Sequence, residues 1–337
     1  MNKTLKIAPG LLISMAIAAV AKWLESLFPI HVIGASVIAL FIGMIINSFY
    51  HPAWLSPGAK FTSKKVLKLA IILLGASLSV GVILSVGKLS LMVMFFTLLT
   101  CFGGGYFIGK ALGLNWKLSN LISAGTGICG GSAIAAIAPV IDAEDSDIAY
   151  AMSATFLFDM AMIILFPIMG RMLGLSDEAY GLWAGTAVND TSSVVAAGYA
   201  YSEAAGDFAT MVKLTRTLSI IPTVLVFTFI NLRLKRKQNI DTTGQKKVNI
   251  WGLFPWFIVG FLALAAINSF GLIPAGISTG AKSVSKFLMV SALAAIGLNT
   301  SFKDVKESGI APMVHGFVIS ALVVVVAISV EWCMGMV

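Results

Sequence analysis

The sequence predicts an all-α, polytopic membrane bundle of about eleven transmembrane helices, some of them broken, with inverted-topology repeats. Three observations predict it. Hydrophobic residues make up 58% of the chain, charged residues only 11%, and mean hydropathy is +0.95; a soluble domain carries about 25% charged residues. The charges pool in a few short loops and leave apolar runs of about 20 residues, each long enough to span a bilayer. Two of these runs are interrupted at their centres, by Gly125-Thr126-Gly127-Ile128-Cys129-Gly130-Gly131-Ser132 and by Gly185-Thr186-Ala187-Val188-Asn189-Asp190-Thr191-Ser192.

In order, the segments fall at roughly 8–25, 32–50, 65–87, 91–113, 118–141, 147–170, 179–201, 207–231, 250–270, 280–300 and 309–333, by the length criterion for a span. No soluble domain fits between them, so residues 1–337 read as one integral membrane domain. The first segment imitates a secretory signal peptide, with Lys3 and Lys6 ahead of an apolar stretch and Ala18-Ala19-Val20-Ala21 behind it. Ten further segments favour a retained span. Gly105, Gly109 and Gly113 give the fourth segment a smooth face for close helix packing. Pro139, Pro167, Pro222, Pro255 and Pro312 set kinks or helix starts.

Lys and Arg set the orientation. The largest basic cluster, Arg233, Lys235, Arg236, Lys237, Lys246 and Lys247, falls in the 232–249 loop. With that loop in the cytoplasm and eleven alternating crossings, the N-terminus is cytoplasmic and the C-terminus outside. Lys60, Lys64, Lys65, Lys68, Lys110, Lys117, Arg171, Lys303 and Lys306 then fall inside. The acidic loop with Asp142, Glu144, Asp145 and Asp147 falls outside, as do Glu203 and Asp207. The net charge of +8 is this topology bias and calls for no nucleic acid. The lipid bilayer is the expected partner, and the oligomeric state stays open, a homodimer included.

The interrupted segments are where function is expected. Glycine weakens a helix, and hydrocarbon offers no water to satisfy freed backbone groups. Such breaks persist where they are buried in protein or line a wet cavity, and paired breaks point to a transporter site. The two runs share Gly-Thr at a constant offset of 60. A second echo relates Leu73-Leu74-Gly75-Ala76-Ser77-Leu78-Ser79 to Ala295-Ile296-Gly297-Leu298-Asn299-Thr300-Ser301, at an offset of 222. With eleven crossings, the second pair runs in opposite directions, as inverted repeats do. The Gly-Thr pair runs parallel, so it is not itself the inverted repeat.

Four charges lie deep in apolar segments: Asp159, Asp190, Lys213 and Arg216. Each costs roughly 2.5–3.5 kcal/mol at mid-membrane, so each asks for a reason. At about 1.5 Å per residue, Asp159, Asp190 and Arg216 converge near one depth with both breaks, and Lys213 lies a turn away on the face of Arg216. One reading is structural, with the acids neutralising the bases and locking the bundle. The other is functional. Asp190 stands in Asn189-Asp190-Thr191-Ser192-Ser193, a cluster of oxygen ligands suited to a small cation, a proton or a polar substrate. Ser77, Ser79, Asn299 and Thr300 are weaker candidates, since membrane serine and threonine commonly satisfy their own helix. Cys101, Cys129 and Cys333 form no CxxC motif, and His31, His51 and His315 are scattered, so no metal or other cofactor is expected. The Gly-rich run lacks the lysine of a phosphate-binding loop.

On these motifs, together with Lys213-Leu214-Thr215-Arg216, the chain resembles the YeiH-type bacterial membrane proteins, a group labelled sulfate exporters. The resemblance covers nearly the whole chain. It implies an inverted-repeat carrier fold with crossing helices, grouped with bile-acid and arsenite-type carriers, in the bacterial cell membrane. The expectation is a secondary transporter, not an enzyme, exporting a small anion such as sulfate or a related sulfur oxyanion. Thr126, Gly127, Gly130, Gly131, Ser132, Asn189, Thr191, Ser192, Lys213 and Arg216 would bind it, at helix N-termini and fixed positive charge. Asp190 and Asp159 would carry a coupling H+ or Na+. A cation/proton antiporter using both acids, or an ion channel, are the alternatives.

Overall fold

The computed structural model describes residues 3–27, 35–49, 52, 54–237, 256–299 and 310–337. Among them there is no strand. Six stretches are long and apolar enough to cross a membrane: Lys6–Ser26, Val80–Ala111, Ser146–Met172, Glu203–Leu234, Ala275–Asn299 and Ile310–Cys333. The protein is a polytopic helical membrane protein.

The helices are α1 (Lys3–Leu27), α2 (Ala35–Phe49), α3 (Ser56–Phe61), α4 (Leu67–Leu74), α5 (Val80–Leu99), α6 (Gly105–Ala111), α7 (Trp116–Ala124), α8 (Gly131–Ile137), α9 (Asp145–Met172), α10 (Asp177–Ala187), α11 (Thr191–Tyr201), α12 (Glu203–Thr217), α13 (Ile220–Lys237), α14 (Trp256–Ser269), α15 (Ala275–Asn299) and α16 (Ile310–Cys333). Three π-helical segments, Thr62–Val66, Thr100–Gly104 and Gly125–Cys129, continue or join neighbouring helices.

Two of the eleven segments do not cross. The chain from α7 to Asp142 folds back on itself: the Lys117 ammonium at its start donates to the Asp142 carbonyl at its end, 2.6 Å away. The chain from α10 through α11 does the same. Ser202 Oγ donates to Asp177 Oδ1 at 2.6 Å, Tyr180 OH to the Ala197 carbonyl at 3.0 Å, and the Tyr180 and Tyr201 rings stack at 3.9 Å. Each is a re-entrant hairpin. Their mouths lie at opposite ends of α9. Asn115 of the first mouth bonds Asp147 near the start of α9, and Arg171 near its end bonds the Ala200 carbonyl of the second. The 28 residues of α9 separate the mouths by about 42 Å.

This corrects the expected topology in three ways. First, the two Gly-Thr arms enter from opposite faces, so they run antiparallel and are themselves an inverted pair. Second, the acidic loop shares a face with the basic one: Asn231, just before the basic cluster, donates to the Val140 carbonyl at 2.8 Å and to Asp142 Oδ2 at 2.9 Å. Third, Arg171 moves to the face of Glu203 and Asp207. The cause is common to all three. A hairpin of two half-helices has the apolar length of a span, yet returns the chain to the face it left. Most of the basic loop, residues 238–255, lies outside the described residues.

The third and fourth segments meet elsewhere than expected. The boundary is not at residues 88–90 but at extended Leu78 and Ser79, where Ser79 Oγ caps α5 by accepting from the Val82 N–H. Gly105 and Gly109 pack against Ser123 and Ser119 of α7, as a smooth face would, and Ser119 Oγ donates to the Gly105 carbonyl at 3.0 Å. Gly113 instead adopts φ +68° in the turn before α7. The second echo stands on antiparallel helices: Ser278 bonds the Ala76 carbonyl and Ser285 the Ala70 carbonyl. Its Thr300 and Ser301 lie outside the described residues.

The helices gather into two bundles. One comprises α1, α2, α3–α4, α14 and α15. The other comprises α5–α6, both hairpins, α9, α12–α13 and α16. The hairpin tips lie inside the second bundle and look toward the first.

Candidate functional site

The two tips meet at mid-depth. The first is Gly130, at φ +66°. A Cβ there would lie 3.0 Å from Asp190 Cβ and 3.1 Å from its Oδ1, so only glycine allows the hairpins to touch. The second is the break between α10 and α11, with Val188 and Asp190 extended on either side of Asn189.

The four charges singled out from sequence each hold an end of a broken helix. Lys213 and Arg216, one turn apart on α12, are fully buried. Lys213 Nζ donates to the Ile128 carbonyl at 2.8 Å and the Val188 carbonyl at 3.0 Å. Arg216 Nε donates to the Gly127 carbonyl at 2.7 Å, Nη1 to the Val188 carbonyl at 3.3 Å, and Nη2 to the Thr126 carbonyl. These are the unsatisfied C-terminal carbonyls of both first arms, and positive charge is favourable there. The acids serve the other polarity. Asp159, in the middle of α9, accepts from the Asn189 and Asp190 N–H groups, both at 2.9 Å. Asp190 caps α11 by accepting from the Ser192 N–H at 2.8 Å and from Ser192 Oγ. The charges therefore hold backbone ends rather than pairing with one another.

α16 joins the tips from behind. Ser320 Oγ lies 3.4 Å from Thr126 Oγ1 and accepts from Asn189 Nδ2 at 3.4 Å. Asn189 Oδ1 is buried with no partner among the described residues. Ser320 escaped the sequence reading because it is a single serine in an apolar helix, where it reads as backbone-bonded.

In front of the tips is a cavity of about 680 Å³, between the two bundles. The residues singled out from sequence divide around it. Gly131, Ser132, Asp190, Thr191 and Ser192 line it; Thr126, Gly127, Gly130, Asn189, Asp159, Lys213 and Arg216 are packed behind it. The opposite wall is α3–α4, with Ser63, Lys64, Leu67, Lys68 and Ile71, completed by Phe257 and Ile296. Lys64 and Lys68 are exposed, and Lys68 Nζ lies 5.5 Å from the Phe257 ring centre. Sequence reasoning took these lysines as topology signals only. Their spacing of four, beside Leu67 and Ile71, is the signal of a shared helix face. Ser77 and Asn299 bond carbonyls of their own helices.

A buried tip-to-tip contact of two re-entrant hairpins is a whole-chain property, so likeness along the whole chain is what bears on it. The chain matches the family described as "Conserved hypothetical protein 698" over residues 9–316. It is 57% identical to a UPF0324 membrane protein of Clostridium tetani, over 98% of this chain and 99% of that one. The chain belongs to the UPF0324 membrane protein family. Other UPF0324 relatives are those of Streptococcus pyogenes serotype M18, 39% identical over 99% of both chains, and of Streptococcus mutans, 38% identical over 97% of both.

Proposed function

We propose that the protein is a secondary transporter that moves a small anion by alternating access past the hairpin tips, with sulfate and related sulfur oxyanions as the class of anion to screen. The observation that carries the reading is the tip-to-tip meeting of two oppositely oriented re-entrant hairpins beside a cavity between two bundles. Non-helical backbone at membrane depth is tolerated where it lines a cavity, and transporters place their sites at such breaks. The anion preference rests on Lys64 and Lys68 at the cavity wall; Ser132, Thr191 and Ser192, at the starts of the returning arms, add hydroxyls on the facing wall. Lys213 and Arg216 act as positioning residues that hold both tips. Asp190, reachable from the cavity, is the proposed carrier of a coupling H+ or Na+, with Asp159 fixing its loop.

Orientation belongs to the same proposal. Lys60, Lys64, Lys65, Lys110, Lys117 and Arg233 share one face with the start of α1, and the positive-inside bias puts that face in the cytoplasm. The cavity, walled by Lys64 and Lys68, then opens inward, and the C-terminal end of α16 is outside.

One observation favours a second reading. Asp190 is the one acid among the described cavity-lining residues, and it sits among hydroxyl oxygens, as a cation/proton antiporter would need. Flux into proteoliposomes separates the readings. A carrier gives saturable anion uptake accelerated by the same anion on the far side. An antiporter gives Na+/H+ exchange indifferent to anions, and a channel gives flux without saturation or trans-acceleration.

A further inference from the structure

Resting on the anion reading, we propose that the cavity takes an amphipathic organic anion, a sulfonate or carboxylate with a short apolar body, rather than a bare inorganic oxyanion. Size is the first argument. About 680 Å³ lies within the roughly 300–1,000 Å³ range of small-molecule sites. A five-atom oxyanion displaces only a few waters, each of roughly 30 Å³.

The walls are the second argument. Leu67, Ile71, Met152, Ile220, Phe257 and Ile296 line the cavity, and none of them can replace an oxyanion's hydration. Stripping sulfate of water against such walls is unfavourable; covering an alkyl or aryl body with them is favourable.

Charge placement is the third. The cations lie on one wall, at Lys64 and Lys68, with Lys65 adjacent in sequence; the carboxylate of Asp190 lies on the hairpin wall facing them. A monoanionic head fits against the lysines, clear of Asp190, with its body running inward past Ile71 and Ile296. Phe257 serves both ends, since Lys68 lies over its ring and the ring lines the apolar part. A divalent ion would bring a second negative charge toward Asp190 without using the apolar walls.

The test is titration calorimetry on the full-length protein in nanodiscs. The probes are methane-, butane- and hexanesulfonate, with sulfate, hexylammonium and hexanol beside them. Each added methylene should tighten sulfonate binding roughly fourfold. Lys68→Gln should weaken the whole series by one common factor, and Phe257→Ala should flatten its dependence on length. The wild-type series alone suffices if either variant misfolds. Sulfate binding as tightly as hexanesulfonate, or a series flat with length, overturns this inference and leaves the anion reading intact. Hexylammonium or hexanol binding as well as hexanesulfonate, or no anion binding at all, overturns the anion reading with it.

Discussion

Lys282 of α15 and Asp207 of α12 form an ion pair of 2.5 Å that ties one bundle to the other at the face opposite Lys64 and Lys68. Lys286 and Glu203 form a second, also 2.5 Å, one turn along, and Tyr199 OH donates to Asp207 Oδ1. The bundles are thus latched on one face while a cavity lies between them toward the other. In an alternating-access cycle this is one end state, and the latch must part to reach the other.

Loosening the latch should therefore shift the end-state balance. Exposed ion pairs are worth roughly 0.2–1 kcal/mol, and the Asp207 side chain is only 10% exposed, which favours the upper end. Asp207→Asn should slow maleimide labelling of Ser192→Cys through the cavity about two- to fivefold, and exchanging the charges of Lys282 and Asp207 should restore the rate. An unchanged rate would mean the pair contributes equally to both states.

The re-entrant topology makes a sidedness prediction. In a background lacking the exposed Cys333, cysteines at Ser146 and Arg233 should be reached by an impermeant thiol reagent from the same side. A cysteine at Glu178, beside the second hairpin's mouth, should be reached from the other. Labelling of Ser146 and Arg233 from opposite sides would restore eleven crossings and sink the hairpin description.

Much of the site could be read from sequence, because a charge or a glycine inside an apolar segment is conspicuous. Asp159, Asp190, Lys213, Arg216 and the Gly130 break all meet at the two hairpin tips in the structure. What could not be read is where the backbone turns back. The 118–141 segment has the length and hydropathy of a span, and only the contact between Lys117 and Asp142, 25 residues apart, reveals the return. The break at Ser79 was hidden for a related reason. The charge of Lys88 interrupts the apolar run visibly, whereas Ser79 starts α5 through a single capping bond.

Asp159 should tolerate no amide. Its two oxygens accept from adjacent backbone N–H groups, and Asn would offer one of them an NH2 donor instead. Leaving a buried donor unsatisfied costs roughly 1–3 kcal/mol. Asp159→Asn should lower the melting temperature and uncouple transport even if the protein assembles. A variant with wild-type stability and flux would show that the second tip holds its shape without this carboxylate.

Arg216 provides the sharpest test of what the buried charges do. If it balanced Asp190, removing both charges together would recover the stability lost on removing either, because neither partner would be left alone. The geometry predicts otherwise. Arg216 serves the Thr126, Gly127 and Val188 carbonyls, while Asp190 serves Ser192. Charged hydrogen bonds of this kind are worth about 1.5–3 kcal/mol each. Arg216→Gln should therefore destabilise by several kcal/mol, and Arg216→Lys should rescue only part of it, since a shorter ammonium cannot reproduce the planar guanidinium fork that reaches the Thr126, Gly127 and Val188 carbonyls together. The double variant Arg216→Gln with Asp190→Asn should be no more stable than Arg216→Gln alone. Melting temperatures of the two single variants and the double decide it: recovery in the double would show a counter-charge pair, and its absence would show that the arginine holds the tips together through their carbonyls.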